Sequence, residues 1–439
     1  MNALKSLVLM LGVLWSAPGH AQDAFTLEAA IEYAYNNSLT VRNSLINVED
    51  AEAQILERRA SGLPQINGSL NFNHYLKVPK QALPEAFLIG APPGTPREVS
   101  FFLQNNFTAG ANAQQMIFDG SFFVALRAAR QYRSYVQAEL VAAKQDVKNQ
   151  VTSAYLAPLI LAENAEFLRK NITNISNLLR ETSALYEAGF VEQLDVDRLQ
   201  LSLSNLETEL ENLNRQEQVA KNFLKLAMGY PVQDDLVITD QLDELLETAT
   251  ATELTTDVPI RDRPEYQVIL LGEQLNQSNV ENIEATRLPS AYANAGYQWQ
   301  YQGDDFSSGF WAEQANVGLQ VNVPIFDGYR RRSQVQRARL QGQILSNQRR
   351  DLERLITAEV TNAREQYRNA ARRIDFQERN LELANKIYDT AQIKYREGVG
   401  SSIEVQQAEQ TLYQTQQNFT QAAYDLVVAK SDLDRALGR

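Results

Sequence analysis

The sequence has no cysteine and only two histidines among its 439 residues. Without cysteine the chain cannot form a disulfide bond, and we expect no lipoprotein anchor, which requires a cysteine at the cleavage site. The two histidines, His20 and His74, are too few for a histidine-based metal cluster or catalytic triad. We also find no glycine pattern of a nucleotide-binding loop. The sequence therefore predicts a protein that is not an enzyme and has neither a cofactor nor a metal site.

The sequence also lacks net positive charge and any long apolar run. Its formal charge of −13 at pH 7 argues against nucleic acid as a partner and against a polybasic membrane patch. No stretch approaches about 18 consecutive apolar residues, so we expect no transmembrane helix. Residues 1–21 have the features of a secretory signal peptide: Lys5, an apolar run from Leu7 to Trp15, and cleavage after Ala21. An N-terminal anchor is the weaker alternative, because that run is too short to span a bilayer. An exported chain without a helical span is periplasmic, secreted, or an outer-membrane β-barrel.

A corner between a strand and a helix occurs twice, as Ile-Phe-Asp-Gly at 117–120 and again at 325–328. Before each copy, apolar and small polar residues alternate with the period of two that indicates a strand. After each copy, the period changes to about 3.5 residues, which is typical of antiparallel coiled coils. The offset from Asp119 to Asp327 is about 208 residues, and that from Gly189 to Gly398 is about 209. These offsets predict a tandem duplication.

The duplication predicts the domain organisation. A signal peptide occupies 1–21. The first repeat, 22–229, contains strands at about 64–78 and 101–118 and long helices at about 121–188 and 192–228, the first of which Pro158 should kink. An irregular equatorial linker occupies 230–260. The second repeat, 261–439, contains strands at about 289–302 and 311–326 and long helices at about 329–397 and 401–437.

Four strands with one apolar face cannot stand alone in a membrane, because the two edges would leave unpaired backbone groups in hydrocarbon. The sheet must close through association, giving eight strands from two copies or twelve from three. Small polar residues on the inward face cannot fill an eight-stranded interior, which favours more strands and a wet lumen. An aromatic girdle is predicted near the loop ends, from Phe101, Phe102, Tyr297, Trp299, Tyr301 and Trp311. The alternatives are a soluble β-sandwich and coiled coils without a pore.

Four features of the sequence point to a known family: the duplicated halves, the Leu-Pro pairs that open two strands (Leu63-Pro64, Leu288-Pro289), the repeated corner and the glycine-containing helix tips. In these features the sequence resembles the TolC family of outer-membrane efflux proteins, or outer membrane factors. The resemblance covers essentially the whole mature chain. It implies an α+β membrane protein, a homotrimer with a twelve-stranded outer-membrane barrel, a long periplasmic α-helical barrel and an equatorial region. It further implies the exit duct of a tripartite efflux or type I secretion system, docked to a periplasmic adaptor and an inner-membrane pump. The alternative is a periplasmic coiled-coil adaptor or scaffold without a barrel.

The two helix tips, 186–198 and 395–407, are the candidate functional sites. The resemblance implies that one set of residues lines a periplasmic gate: Asp195, Arg198, Tyr395, Glu404 and Gln407. It implies that a second set contacts the adaptor: Gly189, Phe190, Val191, Gly398, Val399, Gly400 and Ser401. Gln407 stands where the family often has a second acid, which puts a double acidic ring in doubt. The alternatives are a capping box between Ser401 and Glu404, and packing of Tyr186 and Tyr395 in the helix seams.

Overall fold

The computed structural model describes residues 23–82, 89–90, 92, 98–100, 102–250 and 258–439. The predicted signal peptide, Phe101 of the predicted aromatic girdle and residues 251–257 of the linker lie outside the described residues. The chain divides into two compact units. One contains the described parts of Met1–Leu45, Glu139–Tyr266 and Leu352–Arg439, and the other contains those of Ile46–Ala138 and Gln267–Asp351.

The second of these units contains a four-stranded antiparallel sheet in the order β2-β5-β7-β8. The strands are β2 (Gln65–His74), β5 (Asn105–Asp119), β7 (Ser290–Gly303) and β8 (Phe310–Asn322). Two short strands, β3 (Gln81–Ala82) and β4 (Glu98–Val99), pair in the loop between β2 and β5. All four predicted strands are present. The first ends four residues before the predicted boundary, and the second begins four residues after it.

The register of the sheet places residues of similar polarity beside one another in most rows across the four strands. One row joins Ile66, Ala113, Ala295 and Val317, and the adjacent row joins Asn67, Asn112, Gly296 and Asn316. Directly paired residues share a face, so one face of the sheet is mainly apolar and the other is small and polar. A slip of one residue would exchange the two faces, and the alternation therefore fixes the pairing.

The two corners have similar sequences but different local structures. At the first, β5 continues through Asp119, and helix α3 (Gly120–Glu187) begins directly, with the Ser121 N–H donating to the Asp119 carboxylate at 2.8 Å. At the second, β8 ends at Asn322 and helix α7 begins only at Arg330 (α7, Arg330–Arg396). The predicted strand end at 326 is therefore four residues too late. Pro324 stands where the first repeat has Met116, and proline has no N–H to continue a ladder.

The described residues form five further helices in the two repeats, and one 3-10 helix. They are α1 (Leu27–Asn37), α2 (Leu39–Ala60), α4 (Gln193–Met228), α6 (Pro264–Ala285) and α8 (Ser402–Ala436), with a short 3-10 helix at Ile260–Asp262. The long helices differ from the prediction by about one residue at each end, and α1 and α2 are separated at Ser38. In the part of the chain that the structure describes, no helix combines the length and apolar character needed to cross a membrane.

The linker is more regular than its composition predicted. It contains strand β6 (Leu236–Ile238) and helix α5 (Leu242–Thr250), and β6 pairs in parallel with β1 (Asp23–Phe25), which the sequence did not predict. Asp240 connects these elements, because its carboxylate accepts hydrogen bonds from the Leu27 N–H at 2.8 Å and the Tyr155 hydroxyl at 3.0 Å. Tyr155 belongs to a buried cluster that also includes Phe25 and Met228. Burial, with the neighbouring Asp240 carboxylate, raises the pKa of Tyr155 and keeps the hydroxyl a donor.

Candidate functional site

The tips that close the two long hairpins have the same backbone structure. Gly189 has φ of 81° and Gly398 has φ of 74°, in the left-handed region that favours glycine. In the first tip, Phe190 N–H donates to the Leu185 carbonyl at 2.9 Å, and in the second, Val399 N–H donates to the Lys394 carbonyl at 3.0 Å. The Gly189 N–H also donates to the Tyr186 carbonyl, and the Gly398 N–H to the Tyr395 carbonyl, so each helix ends in a Schellman motif. The glycines thus have a clear local role.

The residues just beyond each glycine present apolar surface to solvent. Phe190 is 79% exposed and Val399 is 78% exposed. Gly189 and Gly398 are exposed, and a Cβ built on either would meet no atom within 4 Å. Val191 and Gly400 are partly buried, and Ser401 is exposed. Each tip therefore carries one large exposed apolar side chain on a backbone whose geometry is set.

Polar contacts join the first tip to the second. The Ser402 hydroxyl donates to the Asp195 carboxylate, and Arg198 lies near both, with Nη1 3.5 Å from the Ser402 oxygen and 3.9 Å from the carboxylate. Further up the hairpins, Arg396 Nε donates to the Glu181 carboxylate at 2.8 Å. The structure therefore brings the predicted Asp195 and Arg198 together, through a serine that the sequence analysis did not single out.

Tyr395 packs in the seam between the hairpins and also makes a polar contact there. Its ring is 7% exposed and belongs to the buried cluster between the hairpins, which includes Leu168, Leu199 and Val405. Its hydroxyl lies 3.4 Å from the Thr182 hydroxyl, which donates to it. Burial raises the pKa of Tyr395 above its usual range. Tyr186, in contrast, is 42% exposed and does not belong to this buried cluster.

Glu404 and Gln407 are not part of this contact. They lie on the exposed side of α8, in a groove between α7 and α8 that Lys386 and Lys394 also line. Ser401 caps α8 by accepting a hydrogen bond from the Glu404 N–H at 3.3 Å. Within the described tip, however, the Glu404 carboxylate makes neither a hydrogen bond nor an ion pair, so the reciprocal half of a capping box is not formed. The Glu404 side chain is therefore exposed to solvent and takes no part in capping the helix.

A buried carboxylate lies about two helical turns beyond the tip contact. Glu409 is 2% exposed and accepts a hydrogen bond from the Ser202 hydroxyl at 2.8 Å. Burial raises the pKa of Glu409, and the Ser202 bond offsets only part of that shift. Tyr388, also buried, lies close enough for the Glu409 charge to raise its pKa further. Glu409 was not among the predicted site residues, and its one signal in the sequence is its place directly after Ala408, which belongs to the buried cluster between the hairpins.

Across the described residues, no cluster of three or more carboxylate or histidine side chains is arranged to hold a metal ion. The tips therefore offer an arrangement of charges, hydrogen bonds and exposed apolar groups. Such an arrangement suits contacts between helices and with other proteins.

Comparisons with known proteins identify the relatives of this chain. The model of the outer membrane efflux protein family matches residues 30–230 and 261–439. The pyoverdine export outer membrane protein OpmQ of Pseudomonas aeruginosa is 22% identical over 427 residues, covering 97% of this chain and 86% of the relative. The outer membrane efflux protein BepC of Brucella suis is 23% identical over 434 residues, covering 96% and 87%. The crystal structure of the Campylobacter jejuni CmeC outer membrane channel has a TM-score of 0.72 and 18% identity, covering 94% of this chain and 85% of that one. This last likeness establishes a common fold.

Proposed function

The chain belongs to the outer membrane efflux protein family, and on that premise we propose that it is the outer-membrane exit duct of a tripartite efflux or type I secretion system. Substrates would pass through it passively, from a periplasmic adaptor and an inner-membrane pump to the exterior. The duct itself would do no chemistry. Its contributions would be a wall, an opening and a docking surface.

The observation that carries the proposal is the open sheet with two free edges. Among the described strands of the sheet, β2 and β8 are the edges, and nearly all of their residues are exposed on both faces. The apolar row that includes Ile66 and Val317 is exposed in a single copy. Because the four strands alternate in direction, β2 of a second copy would continue the antiparallel order beside β8. Closure would pair every edge and turn the apolar face to lipid.

Three copies suit the lumen better than two. The polar face consists of small groups, as in the row of Asn67, Asn112, Gly296 and Asn316. An eight-stranded barrel is filled by its inward side chains, and these are too small to fill one. Twelve strands from a homotrimer would leave a water-filled passage.

The two tips would form the periplasmic entrance. Asp195, Arg198 and Tyr395 would hold one hairpin against the other, and Glu404 and Gln407 would lie along the aperture. The unpaired carboxylate of Glu404 supports this placement, because an acid without a structural partner is available to attract cations. Repeated in three copies, it would make one acidic ring, since Gln407 carries no charge.

The exposed ends of the tips would dock the adaptor. Phe190 and Val399 are the large apolar groups that a partner would bury. The residues around them would shape the contact: Gly189, Val191, Gly398, Gly400 and Ser401. The hydrogen bonds of the two glycine turns would hold this surface in place, which would lower the ordering cost of docking.

Ion selectivity in a planar bilayer tests the proposal. Purified protein should form channels that prefer cations, and Glu404→Lys should reduce that preference in reversal-potential measurements under a salt gradient. Glu207→Lys, which makes the same change of charge at an exposed site on α4, is the matched control and should have the smaller effect. Channels with unchanged selectivity in Glu404→Lys would refute the aperture assignment alone. A protein that washes off outer membranes with carbonate and forms no channels would refute the duct and favour a periplasmic scaffold.

A further inference from the structure

Arginine is concentrated at the start of α7. Residues 330–350 include seven arginines and no acidic residue, whereas the first 21 residues of α3, 120–140, include three arginines and one glutamate. The whole chain has a formal charge of −13. The second repeat therefore contains a local basic segment, although the chain as a whole is acidic, and the corresponding segment of the first repeat is less basic.

The position of these arginines is unfavourable for the helix itself. Arg330, Arg331 and Arg332 occupy the first turn of α7, where the helix dipole favours anions, and that turn has no acidic residue. Asp327, just before the helix, compensates in part by pairing with Arg331 at 3.5 Å. Three cations at a helix N-terminus are a local conflict, and such conflicts are expected where another function is served.

The arginines line a groove between α6 and α7, which we call the arginine groove: Arg287, Arg331, Arg332 and Arg339, with Glu284 as its one acid. Glu284 is already paired with Arg339 at 3.0 Å. The guanidinium groups of Arg287 and Arg332 are exposed, and neither bonds to any residue that the structure describes. The groove therefore has an excess of positive charge and two cations available to a ligand.

Apolar surface leads directly into the groove. The apolar face of β8 ends at Val321, and the corner that follows exposes Ile325 at 93%, with Phe326 and Tyr329 also exposed. The Phe326 and Tyr329 rings meet edge to face, with centroids 5.6 Å apart. An apolar strand, then aromatic rings, then cations is the order found at a boundary between membrane and water.

We propose that the arginine groove binds the phosphate of an anionic phospholipid, such as phosphatidylglycerol, in the leaflet of the outer membrane that faces the periplasm. This inference rests on the proposed function, since it requires β8 to lie in that membrane. The planar guanidinium fork matches two phosphate oxygens, and Arg287 and Arg332 offer such forks from opposite walls of the groove. Basic residues beside a membrane attract anionic headgroups, and those between helices form headgroup pockets. The bound phosphate would also supply the negative charge that the start of α7 lacks.

Lipid retention tests the inference. The assembled protein, its Arg287→Gln/Arg332→Gln variant and a control are reconstituted into vesicles of phosphatidylethanolamine with phosphatidylglycerol, extracted in mild detergent, and weighed by native mass spectrometry. The control, Arg368→Gln/Arg372→Gln, removes the same charge from exposed positions more than thirty residues further along α7. We expect retained phosphatidylglycerol to fall about thirtyfold in the groove variant and to be essentially unchanged in the control.

The outcomes separate this site from the proposed function. Equal retention of phosphatidylglycerol in all three proteins overturns the inference, as does equal retention of phosphatidylethanolamine and phosphatidylglycerol by the unaltered chain. Loss of subunit association by the groove variant in lipid-free detergent also overturns it, because the groove would then bind a neighbouring copy. Channel conductance recorded on the same samples reports on the duct independently. Its absence from every protein would refute the duct.

Discussion

Weakening the contacts between the two tips should open the entrance. The perturbation is Asp195→Ala with Tyr395→Phe and Arg396→Ala in the same chain. These changes remove the Ser402–Asp195 and Thr182–Tyr395 hydrogen bonds and the ion pair with Glu181. Phenylalanine keeps the ring of Tyr395 in the buried cluster, so the packing between the hairpins is retained.

The structure sets the expected size of the effect. The side chains of Arg396 and Glu181 are about half exposed, so their ion pair contributes about 0.2–1 kcal/mol. The Thr182–Tyr395 bond is long at 3.4 Å and contributes about 0.5 kcal/mol. The partly buried bond to the Asp195 carboxylate contributes about 1.5–3 kcal/mol. The sum of about 2–4 kcal/mol per copy corresponds to a shift of about 30-fold to 1000-fold in the opening equilibrium.

Single-channel recording measures this shift. The triple variant should spend far more time in a high-conductance state than the unaltered protein, and Arg396→Ala alone should change the equilibrium by no more than about fivefold. Asp197→Ala is the control, because its carboxylate bonds to Gln193 within α4. A triple variant with unaltered conductance and open time would refute the idea that these contacts hold the entrance closed.

Three further predictions concern stability, measured by hydrogen exchange and urea unfolding. Burial raises the pKa of Glu409, so folding favours its protonated form and the stability of the protein falls as pH rises through that pKa. Glu409→Gln should therefore stabilise the tip at pH 8 and much less at pH 4, and a gain in stability that does not depend on pH would contradict this. Leu168→Ala removes a fully buried side chain and should lower the free energy of unfolding by about 2–5 kcal/mol, whereas Leu201→Ala at an exposed position should lower it by less than about 0.5 kcal/mol. Equal losses of stability in the two variants would contradict the assigned core. Gly229→Ala should destabilise the protein more than Gly189→Ala, although both glycines have positive φ, because a Cβ at Gly229 would lie 2.7 Å from the last carbonyl oxygen of α1 and one at Gly189 would meet open space. The reverse order of stabilities would refute the close approach at Gly229.

Much of the fold could be predicted from the sequence because two periods alternate in it. A period of two before each corner and of about 3.5 after it located the strands and the long helices, since each period reports which face of an element is buried. The exceptions have physical causes. Pro324 ended β8 early because proline cannot donate to the ladder. Strand β1 has only three residues, too few to display any period.

The candidate site was harder to predict because its contacts join residues far apart in the chain. The tip glycines were evident, since a left-handed helix end has a sequence signature. The partners of Asp195 and Tyr395 were not, because Ser402 and Thr182 are ordinary residues whose roles arise only from the way the hairpins pack. Likewise, nothing in the linker sequence indicated that Asp240 bonds to Tyr155.

Disulfide formation between edge strands tests most directly whether copies of this chain complete one another's sheet. Asn67→Cys on β2 is combined in turn with cysteine at Gln314, Asn316, Gly318 or Gln320 on β8, all on the polar face, and the chain has no other cysteine. Within one copy these positions are three strand spacings apart, about 14 Å, too far for a disulfide. The account predicts that at least one pair oxidises to a covalent trimer in outer membranes. Monomers from all four pairs, or a ladder that continues past three, would contradict it.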